Sequence, residues 1–169
     1  SRAPETDAFG AHWRIAPGGA SSNERKVCGL DVHPEGDRVV IVSSIPLLDH
    51  NGFVKSNVGM LDIHDVATGE QLHDLDLKRQ PWCVAYSPDG SLLAIGTDCG
   101  RIQIIETEFY TVQLDLLAHD SYVFSLEWMP DGEQLVTCSG DKTLKIWDAR
   151  PKHVEDCLLY TSDAADDQL

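Results

Sequence analysis

The sequence predicts an all-β protein assembled from repeated, four-stranded antiparallel units. Two observations carry that expectation. Short apolar runs alternate with period 2 between tight-turn signals, the pattern of half-buried strands. A Pro-x-Gly turn then recurs three times, at Pro34-Glu35-Gly36, Pro88-Asp89-Gly90 and Pro130-Asp131-Gly132. The last two turns lie 42 residues apart, inside the ~40–45 residue period of one family of repeats. The first pair is 54 apart, which puts about a dozen extra residues in the first repeat.

The third repeat is the most complete. Ala118-His119 introduces a strand over residues 122–128, and Leu135-Val136-Thr137-Cys138 forms a second. After the turn Ser139-Gly140-Asp141-Lys142, Leu144 and Ile146 alternate with Thr143 and Lys145 before the strand ends in Trp147-Asp148. Three short strands introduced by His and closed by Trp-Asp resemble a repeat of the WD40 β-propeller family. The resemblance implies a propeller fragment of about three four-stranded blades, over residues 23–75, 77–114 and 115–156. His119, Asp141 and Trp147, with Thr137 or Ser139, match the family's structural tetrad. Buried imidazole, carboxylate and indole groups need hydrogen-bond partners, and such a network supplies them. This spacing belongs to a structural network and not to a catalytic His–Asp–Ser set.

The other repeats depart from the motif. The second has residues 78–80 (Lys-Arg-Gln) where the family has His, Cys99 at the turn Asp, and Ile105-Glu106 for Trp-Asp. Its shape should rest on packing alone. The first has a buried strand over residues 39–42, a Trp-Asp equivalent over 60–65 and an outer strand over 71–75. Residues 45–58, with Pro46, Asp49, Asn51 and Gly52, read as a long inserted loop. Residues 1–22 read as a flank in which Trp13 anchors the end of a preceding blade. From about Cys157 the sequence resembles the translation of an adapter used in sequencing libraries, and those residues are set aside from fold reasoning.

Composition narrows the function classes. A formal net charge of −15 without basic runs argues against nucleic-acid or anionic-membrane partners. No apolar run is long enough to span a bilayer. Five Cys without a Cys-x-x-Cys pair, and no glycosylation sequon, fit a reducing intracellular compartment, cytoplasmic or nuclear. The seven His show no metal-ligand spacing; Asp62 and His64 share one strand face and Asp65 the other, which reads as blade strand. No nucleophile elbow, phosphate loop or dinucleotide fingerprint is present. The expectation is a non-enzyme without metal or cofactor.

Binding is the function the resemblance implies. Such propellers receive protein or peptide partners on the face carrying the loops that enter each innermost strand. Positions eight and six before each turn Pro reach that face: Tyr122 and Phe124, Gln80 and Trp82, and Lys26 and Cys28. The leading expectation is an interaction scaffold within a multiprotein complex, whose acidic body suits partners with basic segments. The alternative is a targeting or regulatory module of a multidomain enzyme with its catalytic part elsewhere. A quinoprotein-like or lactonase-like propeller is disfavoured by the Trp-Asp and His–Asp pattern.

Overall fold

The computed structural model describes residues 25–149; the flank over 1–22 and the segment from Cys157 onward lie outside them. Eleven strands form three antiparallel sheets in which spatial order follows chain order. The first holds β1 (Lys26–Val32), β2 (Arg38–Leu48), β3 (Val54–Asp65) and β4 (Gln71–Leu77). The second holds β5 (Pro81–Tyr86), β6 (Leu92–Thr97), β7 (Arg101–Glu106) and β8 (Val112–Leu117). The third shows β9 (Val123–Trp128), β10 (Gln134–Ser139) and β11 (Leu144–Asp148), three strands among the described residues. Leu77 therefore belongs to the first sheet and residues 115–117 to the second.

The repeated turn in the sequence is a repeated turn in the backbone. Gly36, Gly90 and Gly132 sit at φ 75°, 73° and 72°, the left-handed region open to glycine at little cost. Each donates its N–H to the carbonyl three residues back: Gly36 to His33 at 2.7 Å, Gly90 to Ser87 and Gly132 to Met129, both at 2.8 Å. The same carbonyl-bearing residues close the hairpin: His33 N–H to Arg38 and Ser87 N–H to Leu92 at 2.9 Å, Met129 N–H to Gln134 at 2.8 Å. Gly90 carries a second constraint, since a Cβ there would fall 2.2 Å from Nε2 of the buried His33. That imidazole also meets Tyr86 edge-on at 5.0 Å, joining the first sheet to the second.

Two apolar layers hold the sheets face to face. Val40, Val42, Leu61 and Ile63 of the first sheet meet Val84, Tyr86, Leu93, Ile95 and Ile105 of the second. On the other side, Ala94, Ile102 and Ile104 meet Val123, Leu126, Trp128, Leu135 and Trp147. Alternation along β6 is what serves both layers: Leu93 and Ile95 point one way and Ala94 the other. Strands β5 to β7 of the middle sheet, buried on both faces, therefore read as largely apolar runs, whereas β8 at its edge is exposed.

Residues 45–58 are not a loop. β2 and β3 continue to pair beyond the sheet, with Ile45 opposite Val58, Pro46 opposite Asn57, Leu47 opposite Ser56 and Leu48 opposite Val54. β1 stops at the Lys26–Ser44 pair and β4 at the Gly59–Leu77 pair, so the extension is a two-stranded arm. Pro46 signals a break in sequence. In the arm it lies on an edge with no further strand beside it among the described residues, a position that tolerates proline. Asp49 shapes the tip by accepting the Asn51 and Phe53 N–H groups at 2.8 and 3.0 Å, while Gly52 takes φ 82°.

Candidate functional site

The tetrad residues meet between β9, β10 and β11. His119 Nδ1 lies 2.8 Å from Asp141 Oδ2, and Nε2 lies 2.8 Å from Thr137 Oγ1. Trp147 Nε1–H donates to that same hydroxyl oxygen at 2.9 Å. One proton arrangement satisfies every atom. The Nδ1–H donates to the carboxylate, Nε2 accepts from the Thr137 O–H, and Thr137 accepts from the indole. Of the two hydroxyl candidates, Thr137 occupies the centre; Ser139 instead donates to the Ser121 carbonyl at 3.0 Å and accepts the Asp141 N–H at 3.1 Å. His119 and Thr137 are almost completely buried. A hydroxyl held between an indole and an imidazole in this way has no open side for a substrate.

Asp141 also accepts the Thr143 hydroxyl and amide, at 2.7 and 2.9 Å, and the Asp120 amide. Desolvation pushes its carboxyl up, but donation from Thr143, His119 and Asp120 outweighs this and holds it well below the usual carboxylate range. A depressed native pKa stabilises the fold above the unfolded value, near 3.9, and that contribution disappears as pH falls through the native value. The intact protein should lose stability as pH drops below about 4. Asp141→Asn should be less stable at pH 7 and show a flatter acid limb by circular dichroism. An unchanged acid limb would show that Asp141 does not couple protons to folding.

The other two sheets solve the same positions differently. Thr97 closes its own hairpin, accepting the Arg101 N–H at 3.1 Å and donating to the Arg101 carbonyl at 3.0 Å. Ile105, in the place of Trp, is fully buried. In the first sheet His64 takes that place, with Nδ1 3.3 Å from the Gly69 carbonyl and Nε2 lacking a partner. Beside it, Arg25 bonds the buried Asp62 carboxylate and donates to Ser43 at 2.8 Å. Sequence reading missed this pair, because Arg25 lies 37 residues from Asp62 in the chain. Asp65 caps the following turn through the Ala67 and Thr68 amides.

The residues expected at the partner face do converge. Trp82 stacks on Tyr122 with ring centroids 5.2 Å apart, and Phe124 meets Tyr122 edge-on at 4.6 Å and Trp82 at 6.3 Å. Lys26 Nζ lies 5.8 Å from the Trp82 ring. Phe124 is 49% exposed and Tyr122 36%, so the cluster opens to solvent. Gln80 accepts a 2.7 Å bond from Asn57 of the arm. Cys28 lies apart, its thiol turned to Lys26 and Ser44. Below the rings, burial pushes the Cys83 thiol up to about 12, which leaves no reactive thiolate under the platform.

Two acids lie on the loops next to the ring-bearing strands. Asp98 uses its N–H to bond the Gln80 carbonyl at 3.0 Å, and Asp120 precedes Ser121 and Tyr122. Both are exposed, and neither carboxylate has a partner among the described residues. A second cluster, His33, Glu35 and Asp37, brings three ligand-type atoms close together. There His33 Nδ1 already accepts the Glu35 N–H at 3.3 Å and Nε2 faces Arg38. The cluster is turn chemistry and offers no cation cradle.

The architecture matches known proteins. The family described as WD domain, G-beta repeat matches residues 69–106 and 110–148. The chain is 37% identical over 90 residues to WD repeat-containing protein 1 of Gallus gallus, covering 52% of this chain and 15% of that protein. It is 33% identical over 121 residues to U3 small nucleolar RNA-associated protein 12 of Saccharomyces cerevisiae, covering 70% of this chain and 12% of that one. The chain thus spans a small part of these relatives' length. Among solved structures, the RRP9 WD40 repeats superpose with a TM-score of 0.63 at 21% identity, over 80% of this chain and 38% of the other. The matched repeats, the relatives and the meander sheets together support a fragment of a WD40 β-propeller, with WD40 repeats over residues 69–106 and 110–148.

Proposed function

We propose that the chain is the non-catalytic, partner-binding part of a WD40 scaffold, and that Lys26, Gln80, Trp82, Tyr122 and Phe124 form the contact surface. The observation that carries this is the exposed, mutually stacked set of three aromatic rings. Aromatic side chains dominate interface hot spots, and a patch of this kind on bare surface calls for a cover. The partner is a protein or peptide segment bearing Arg or Lys. The net charge of −15 favours such segments over nucleic acid. The relative named U3 small nucleolar RNA-associated protein 12 supports a place of action inside the cell. No helix among the described residues is long and apolar enough to cross a membrane.

Selection of random peptides against the intact protein that contains this chain tests the reading. Enriched peptides should carry Arg or Lys, and Trp82→Ala combined with Tyr122→Ala should abolish the enrichment. Enrichment that survives both substitutions, or that carries no basic residue, would place the binding surface elsewhere.

A further inference from the structure

The arm ends in Asn51-Gly52, a side-chain amide followed by a residue with no side chain to shield its N–H. Of the asparagines at 23, 51 and 57, only Asn51 precedes glycine. Both tip residues are exposed. Beyond its chain neighbours, nothing lies within 4 Å of the position a Cβ would take on Gly52. The Asn51 backbone N–H is bonded to Asp49, but its side-chain amide has no partner among the described residues. No described group therefore stands between the Asn51 amide carbon and the nitrogen that follows it.

One contact opposes a reaction between them. The Gly52 N–H donates to the Asp49 carbonyl at 3.0 Å, which keeps the nitrogen occupied. That bond is weakly supported. The tip lies beyond the last pairs made by β1 and β4, at the end of a ribbon two strands wide. Two-stranded ribbons are marginal in water, and end turns open at little cost. Asn57, on the same arm, supplies the contrast. Its amide nitrogen donates to Gln80 at 2.7 Å, and the next residue is the β-branched Val58. The Asp89-Gly90 and Asp131-Gly132 turns carry carboxylates, which resist nucleophilic attack far better than an amide. Asp89 is also held by the Ser87 and Ser91 hydroxyls, at 2.6 and 2.9 Å.

We propose that Asn51 is a site of spontaneous covalent modification, converting to aspartate and isoaspartate and loosening the arm irreversibly. The Gly52 nitrogen gives its proton to solvent and forms a bond to Cγ of Asn51. The Cγ–Nδ2 bond breaks, and Nδ2 takes a proton from solvent and leaves as ammonia. A five-membered cyclic imide remains, and water opens it on either side. Cleavage of the new Cγ–N bond gives aspartate in an unchanged main chain. Cleavage of the original peptide C–N bond gives isoaspartate, with the main chain routed through Cγ. One water is consumed and one ammonia released, with no change of oxidation state. Aspartate places a second carboxylate near Asp49, where like charges repel. Isoaspartate adds a methylene to the main chain where Asp49 Oδ1 accepts both the Asn51 and the Phe53 N–H. Either product weakens the Leu48–Val54 pair beside the tip.

The test ages the intact protein that contains this chain in warm, mildly alkaline buffer, then digests it with trypsin beside an unaged control. Cleavage after Arg38, Lys55 and Lys78 puts Asn51 in a 39–55 peptide and Asn57 in a 56–78 peptide. The first should gain the mass difference between OH and NH2, about one dalton, and split into aspartyl and isoaspartyl peaks. The second should stay unchanged. Asn51→Gln should abolish the gain. Hydrogen exchange over residues 45–58 should quicken on ageing, while the β1–β2 and β3–β4 pairs keep their protection. A 39–55 segment that stays unmodified in the protein, while the free synthetic peptide reacts, would overturn the proposal by showing that the turn protects Asn51. A single aspartyl product would exclude the imide, and equal gain at Asn57 would remove the special role of the tip. Unchanged exchange after modification would overturn the loosening of the arm.

Discussion

Replacing Thr137 by Val should destabilise the intact propeller by about 3 kcal/mol, although the two side chains have nearly the same shape. The substitution removes no packing volume. It removes the acceptor of the Trp147 indole N–H and the donor to His119 Nε2. Each polar atom left buried and unpaired costs about 1–3 kcal/mol. Water cannot repair the loss, because His119 is 2% exposed and Thr137 1%. Thr137→Ser keeps the hydroxyl and deletes one methyl group, so it should cost about 1 kcal/mol. Urea denaturation of both variants measures the difference. Equal losses would mean that packing of the methyl group, and not the hydrogen-bonded relay, is what Thr137 contributes.

That relay was legible in the sequence because its members lie in one repeat with fixed spacing. The choice between Thr137 and Ser139 was not, since both fall on the same face of β10. Register decides it: Thr137 pairs with Lys145 in mid-strand, whereas Ser139 lies past a register shift at the strand end and serves the turn. The turns were legible because Pro-x-Gly fixes a left-handed glycine wherever it occurs. The arm was misread for the opposite reason. Pro46, Asp49, Asn51 and Gly52 are loop-forming in composition, but only Asp49, Asn51 and Gly52 lie in the turn, and Pro46 tolerates an edge strand. The Arg25–Asp62 pair could not be read at all, because it joins the residue just before β1 to one in β3 that no motif relates to it. The aromatic floor was found by counting back from the turns, but that count could not say whether Trp82 and Phe124 pack inward. Trp82 is half-buried, yet it stacks on a neighbour that solvent reaches.

Residues 1–156 produced alone should associate or melt without a sharp transition, while the same residues within the intact protein should be cooperative. The reason lies in how the apolar layers are shared. Among the described residues the middle sheet is covered on both faces, and each outer sheet on one. On the uncovered sides Leu30 is 62% exposed, Val32 48% and Leu144 46%. In repeat architectures stability is approximately a sum of unit and interface contributions, and here three sheets share two interfaces. Burial contributes about 25 cal/mol for each Å² removed from water, so an uncovered sheet face forgoes its largest stabilising contribution. The same faces offer a self-complementary route to aggregation through unpaired strand edges. Circular dichroism melts combined with light scattering decide the matter. A monomer with a sharp and reversible melt would show that two shared layers suffice, and would make ring closure unnecessary for this part of the propeller to fold.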